Sequence, residues 1–310
     1  MVTAGKQDSL LVIKLGALGD FVQAMGPFQA IRKAHPTADI TLLTTKPFAE
    51  LAERSGWFDH VWIDDRPRSL PGYWALRRRL LSGRFRMIFD LQTSDRSSNY
   101  WRMLWPYRPL LSGIAAGASH PHDNPDRNQM HTLDRQRDQL FRAGIPEVPP
   151  PDASWMTADL SRLSLPERYG LIVPGGAPHR PEKRWPADRF AALANNWAAN
   201  GLTPVLIGTK ADADWTRAIA RACPQALDLT GRTSLFELAG LARQAEIAVG
   251  NDTGPMHLAA VAGCRCLVLY SHASDPALCA QKGLRVDILR VPDLSTLSVE
   301  TVIERQSAAA

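Results

Sequence analysis

Cysteine is scarce in this chain of 310 residues, and the four present, Cys223, Cys264, Cys266 and Cys279, all fall in the second half with no C-x-x-C spacing. Cys264 and Cys266 share one face of an expected strand, where a bridge would be strained, so buried thiols are expected. No stretch of about twenty uninterrupted apolar residues occurs, which argues against a transmembrane helix. The opening MVTAGKQDSLLVIKLG has too short an apolar run, with a lysine inside it, for a secretory leader. A cytoplasmic location is therefore expected. There is no Gly-x-x-x-x-Gly-Lys-Ser/Thr, and Gly16-x-x-Gly19 alone does not imply a dinucleotide. His120, His122 and His131 with Asp123 and Asp126 fit no metal-ligand spacing. Neither a cofactor nor a metal is expected.

What is present is alternation. LLVIKL ends in Gly16-Ala17-Leu18-Gly19-Asp20 and is followed by FVQAMGPFQAIRKA at helical spacing, with a kink expected at Pro27. ADITLLTT, HVWIDD, RFRMIFDLQ and RPLLSGI read as further strands, separated by helical KPFAELAERS and YWALRRRLLSG. ASHPHDNPDRNQ reads as a loop and HTLDRQRDQLFRAGI as a helix. The pattern stops between Ile145 and Tyr169, then restarts with YGLIVPGG and runs on through EIAVGNDTG, CRCLVLY and VDILR. Strands alternating with helices imply parallel sheets covered on both faces. The expected class is α/β, with two Rossmann-like, doubly wound domains, residues 1–155 and 165–310, facing across a cleft with ligands at the C-terminal ends of the strands.

The formal charge of +5 is uneven: residues 1–155 hold 20 Lys/Arg against 16 Asp/Glu, the remainder 16 against 15. Arg66, Arg68, Arg77, Arg78, Arg79, Arg84 and Arg86 cluster around Trp74 and Phe85. Such a stretch suits a nucleic acid, an anionic membrane surface or a phosphorylated substrate, or is simply a solvated helix face.

Four strand-end turns carry the polar residues that could do chemistry. In IAVGNDTGPMHLAAVA a strand over Ile247–Val249 turns through Gly250–Gly254 into a helix opened by Pro255. Such a turn aims N–H groups and a helix dipole at one anion, and Asp252, Thr253 and His257 exceed what capping requires. In VPGGAPHRPEKRWP, Arg180, Lys183 and Arg184 could neutralise a diphosphate, or be an ordinary basic loop. Asp20 follows the first glycine turn and is either a general base or a helix cap. Asp212, at another strand end, could hold a ribose or cap a helix.

Taken together, LLVIKLGALGDFVQAMGPFQAIRKAHP, DLQTSDRSS, PGGAPHRPEKRWP and GNDTGPMHLAA resemble glycosyltransferase family 9, the ADP-heptose:lipopolysaccharide heptosyltransferases, over nearly the whole chain. The resemblance implies the GT-B architecture and metal-independent, inverting transfer. It puts the acceptor in the N-terminal domain, with Arg66, Arg68 and Arg96 as its candidate contacts, and the ADP-sugar in the C-terminal domain. Asp20 falls on the family's catalytic aspartate and Lys183 on its phosphate-binding lysine. Asp252, Thr253, Gly254 and His257 fall on the turn that contacts sugar and diphosphate, and Asp212 joins them as a donor-side candidate. Heptose is a default, because His179-Arg180-Pro181-Glu182 precedes Lys183 and glycine and alanine stand where some members carry hydroxyls. The implied partners are a nucleotide-sugar, an anionic glycolipid acceptor and, transiently, the inner-membrane surface, with no nucleic acid. The alternatives are a nucleotide-sugar epimerase of the same architecture and a non-catalytic sugar-nucleotide-binding protein.

Overall fold

The computed structural model describes residues 8–177 and 179–308. Residues 1–7, on which part of the leader argument rests, lie outside the described residues. The chain divides after Pro151 into two compact units.

The first unit runs β1 (Ser9–Ile13), α1 (Leu18–Gln23), α2 (Met25–Ala34), β2 (Asp39–Thr44), α3 (Ala49–Arg54), β3 (His60–Ile63), α4 (Leu70–Ser82), β4 (Met87–Asp90), α5 (Asp95–Arg102), β5 (Leu110–Gly113), β6 (His120–Pro121) and α6 (Thr132–Arg142). Its parallel sheet has the order β3-β2-β1-β4-β5-β6. The second unit runs β7 (Tyr169–Val173), α7 (Ala187–Ala199), β8 (Thr203–Leu206), α8 (Ala213–Ala222), β9 (Leu227–Asp228), α9 (Leu235–Gln244), β10 (Ala248–Asn251), α10 (Gly254–Val261), β11 (Cys266–Tyr270), α11 (Pro276–Cys279), β12 (Val286–Arg290) and α12 (Val299–Ala308). Its order, β12-β11-β10-β7-β8-β9, repeats the first. Each is a doubly wound sheet in which the chain first builds outward on one side and then returns to build on the other.

The central strands read as unbroken apolar runs because helices cover both of their faces. β4, β7, β10 and β11 are buried at every position, whereas edge strand β12 is not. Leu11, Ile13, Leu43, Leu80, Phe85 and Tyr100 centre one core, and Ile172, Trp185, Phe190, Trp197, Leu206 and Val249 the other.

Several local expectations need correction. The first helix breaks at Ala24, not at Pro27. Pro27 is the third residue of α2, where an N–H has no intrahelical partner to lose, so it starts a helix instead of kinking one. The stretch expected to be a loop contains β6, which pairs with β5 through Ser112 and Gly113. Gly250 and Asn251 belong to β10 and not to the turn, since they pair with Val268 and Leu269 of β11. Gly250 is needed for closeness: a Cβ there would stand 2.7 Å from the Val173 Cβ and 2.9 Å from the Met256 sulfur. α10 opens at Gly254, one residue before Pro255. Phe85, expected beside the arginines, is buried in the core.

Candidate functional site

In each unit the two central strands send the chain off in opposite directions, so the loops after them part and leave a crevice at the C-terminal edge. In the second unit this switch point lies between β7 and β10. Asn251, the last residue of β10, is fully buried there. Its Oδ1 accepts the Trp185 N–H at 3.0 Å, and its Nδ2 donates to the carbonyls of Pro174 (2.9 Å) and Gly175 (3.2 Å). One amide thereby fastens both ends of the loop that carries Arg180, Lys183 and Arg184.

Lys183 Nζ lies 2.6 Å from Asp252 Oδ2, which also accepts from Ser274 Oγ at 2.8 Å. The Tyr270 hydroxyl and Gln281 Nε2 each stand 3.0 Å from Oδ1. Burial acts to raise the Asp252 pKa, but the bond and charge of Lys183, with Ser274 and Gln281, outweigh it and hold the carboxyl below its ordinary value. A carboxylate has about four acceptor sites, and here each oxygen already has two partners in reach. Asp252 is therefore the anchor of Lys183. The lysine keeps further N–H donors for an anion.

Thr253 Oγ1 donates back to the Asn251 carbonyl at 3.2 Å. The N–H groups of Thr253 and Gly254, at the start of α10, meet no hydrogen-bond acceptor among the described residues. Lys183, from the loop after β7, is thus joined through Asp252 to the turn that opens α10, whose positive end lies there. His257 is buried in the following turn. Asp212 also reaches this crevice: its carboxylate lies where a Cβ on Gly175 would come within 2.8 Å of it. It caps its own turn, accepting from the Thr209 N–H at 2.9 Å and Oγ1 at 2.7 Å. Arg184 stands 3.9 Å from Asp212, stacks 5.2 Å from the Trp215 ring and bonds the Gly176 carbonyl. Arg180 is tied to the Ala273 carbonyl.

The first unit's switch point lies between β1 and β4. Lys14, just past β1, is buried and donates to the Leu91 carbonyl at 3.1 Å. Asp90, which ends β4, is buried beside it; Oδ1 accepts the N–H groups of Gln92 and Thr93, while Oδ2 has no partner among the described residues. Burial pushes Asp90 up to about 6, against the pull of Thr93, Ser97, Gln92 and Lys14. Burial likewise lowers the Lys14 pKa, with Asp20 and Asp90 opposing and Arg135 assisting. Asp20 is half-buried in α1 and accepts the Ala17 N–H at 3.1 Å, the bond of a helix cap.

Of the three arginines expected at the acceptor, two share a network. Arg66 donates to the Leu15 carbonyl at 3.0 Å, beside the Gly16 turn, and its own N–H bonds Asp64. Asp64 accepts from the Tyr100 hydroxyl at 2.9 Å, and Arg96 stands 3.4 Å from that hydroxyl. Burial pushes Tyr100 up to about 12, which keeps the hydroxyl protonated as a donor to Asp64. Arg68 is exposed and makes no hydrogen bond or ion pair among the described residues. The three histidines are separately engaged: His122 with Asp138 at 2.9 Å, His120 with the Arg142 carbonyl, and His131 as the cap of α6.

Asn251, Tyr270, Ser274, Gln281, Lys14 and Asp90 are the polar residues that the sequence reading did not single out. The signal for Asn251 was its place at the end of an apolar strand, directly before the polar turn. Tyr270 likewise ends CLVLY.

Two doubly wound units in one chain, each with its switch point at the C-terminal edge of the sheet, are the architecture of the GT-B fold. The family model of glycosyltransferase family 9 (heptosyltransferase) matches residues 73–282, and the chain belongs to that family, and so to the glycosyltransferases. Asp20 precedes the matched segment. Lipooligosaccharide heptosyltransferase 2 of Haemophilus influenzae is 34% identical over 104 residues, which are 32% of this chain and 30% of that protein. Lipopolysaccharide core heptosyltransferase OpsX of the same organism is 23% identical over 85% of this chain and 79% of its own. The fold matches that of Escherichia coli ADP-heptose lps heptosyltransferase II with a TM-score of 0.78, at 19% identity, over 97% of this chain and 98% of that one.

Proposed function

We propose that the protein is an inverting glycosyltransferase of lipopolysaccharide core synthesis that moves a sugar, by default heptose from ADP-heptose, onto an anionic glycolipid acceptor. The observation that carries this is the Lys183–Asp252 pair beside the start of α10, at the switch point of a family 9 chain. Lys183 and the Thr253 and Gly254 N–H groups hold the diphosphate and stabilise the charge that grows on departing ADP, the effect that commonly supplies the largest share of catalysis. Asp212 and His257 complete the donor side. Asp20 takes the proton from the acceptor hydroxyl as that oxygen bonds the anomeric carbon on the face opposite ADP. Arg66 and Arg96, with Arg68, meet the phosphates of the acceptor.

No described helix is long and apolar enough to cross a membrane. The acceptor is met from the cytoplasmic side, by transient contact with the inner membrane. An epimerase is less favoured, because the curated relatives are transferases and the proposed acid–base group serves an acceptor. Incubation with ADP-heptose and a soluble inner-core oligosaccharide should release ADP and give a product of inverted anomeric configuration by NMR. Turnover of donor without acceptor, or a product of retained configuration, would sink the reading.

A further inference from the structure

The first unit exposes large apolar side chains where a water-facing surface would be expected to hide them. Leu70 is 86% exposed and Trp74 67%, at i and i+4 of α4, with exposed Arg78 one turn on. They are not loose. Leu76 and Leu80 bury the other side of the helix, and Ser69 caps it by accepting the Gly72 N–H.

A second segment continues this surface. Arg77 donates to the carbonyls of Met103 at 2.7 Å and Trp105 at 3.0 Å, stitching the loop after α5 to α4. Trp105 there is 63% exposed and Tyr107 40% exposed, and the Tyr107 hydroxyl bonds the Phe85 carbonyl at 2.5 Å. The surrounding charge is of one sign. Residues 66–122 contain ten arginines and two acids, Asp90 and Asp95, of which Asp90 is buried. Arg79 is spent on Trp62 and the Ile63 carbonyl and Arg86 on Asp8, but Arg78 and Arg84 are exposed without an ion-pair partner among the described residues.

We infer that α4 and the Trp105–Arg108 loop form the face by which the protein docks on an anionic lipid bilayer. Tryptophan and tyrosine settle at the headgroup level, where a ring gains apolar contact and its polar edge stays wet. Each arginine near an anionic leaflet adds attraction that falls off within a Debye length. Aromatic residues and arginine are enriched in protein interfaces as well, but here the charge around the anchors is of one sign, which suits an anionic leaflet. The usefulness of such docking rests on the proposed glycolipid acceptor; the docking itself does not.

Flotation of the full chain with vesicles made of equal parts phosphatidylcholine and phosphatidylglycerol tests this against vesicles of phosphatidylcholine alone. Binding should need the anionic lipid and weaken with salt. Arg78→Glu/Arg84→Glu and Trp74→Ser/Trp105→Ser should each reduce partitioning about tenfold or more. Quenching of tryptophan by brominated lipid should fall in Trp74→Phe/Trp105→Phe. Both surface variants should turn over a soluble acceptor at the wild-type rate, which shows that they fold. No binding of the wild type, binding indifferent to the substitutions, or a patch that mediates self-association in sedimentation velocity would each overturn the inference. Failed transfer with intact vesicle binding would instead count against the proposed function alone.

Discussion

The two switch points occupy the same place in two copies of one topology, and each holds a lysine and an aspartate, yet they settle into opposite electrostatic states. In the second unit Lys183 and Asp252 touch, and the carboxyl is held below its ordinary value. In the first, Lys14 turns to the Leu91 carbonyl, Asp90 keeps one bare oxygen, and burial drives both toward neutrality. The difference lies in the number of donors each carboxylate finds. A carboxylate with four partners in reach is a fixed charge, suited to aligning a cation for an anionic ligand. A carboxylate pushed up to about 6 exchanges its proton near neutral pH, and it lies close enough to Lys14 to affect it, as Asp20 does. The second switch point thus carries a paired carboxylate and the first a carboxyl with one oxygen unpaired among the described residues.

If that division is right, substitutions on the two sides separate binding from turnover. Asp20→Ala should lower kcat by about 10²- to 10⁴-fold while calorimetry finds ADP affinity unchanged. A variant that keeps near-native rates would remove the base from the first unit. Lys183→Ala should weaken ADP by about ten- to a hundredfold, the size of one or two charge-assisted bonds. Unchanged affinity there would end the phosphate role.

Leaving activity aside, an effect on stability is expected at Asp90. Its folded pKa lies above the unfolded value near 3.8, so the folded state binds the extra proton and stability falls as pH rises from about 4 through about 6. Thermal unfolding of Asp90→Asn should lose that decline and gain up to about 3 kcal/mol over wild type at pH 7. An identical pH dependence in both proteins would show that the two switch points are not as different as their geometry implies.

Much of this was legible in the residues. YGLIV announces a buried parallel strand because nothing charged interrupts it, LLVIKL does so with a single lysine near its end, and the restart after Ile145–Tyr169 gives the doubled architecture. Lys183 and Asp252 both stood out, but as independent ligand contacts; their pairing spans 69 residues and leaves no periodic trace. Gln281 belongs to no motif and acquires its place only when the segment after α11 folds back beside Tyr270. Pro27 misled because its position within a helix, not its identity, decides whether it kinks or initiates. The arginines of residues 66–86 looked like one face and are several: Arg77 is a brace, Arg79 a stacking partner, Arg78 a free charge.

Asn251 has one more consequence, for the loop it anchors. Its side chain grips the chain at Pro174–Gly175 and again at Trp185, so both ends of the loop that carries Lys183 are fixed from the interior. Between those moorings the loop is held by its own basic side chains, Arg180 on the Ala273 carbonyl and Lys183 on Asp252, so an interior amide sets where the loop begins and ends and its charges set how it lies.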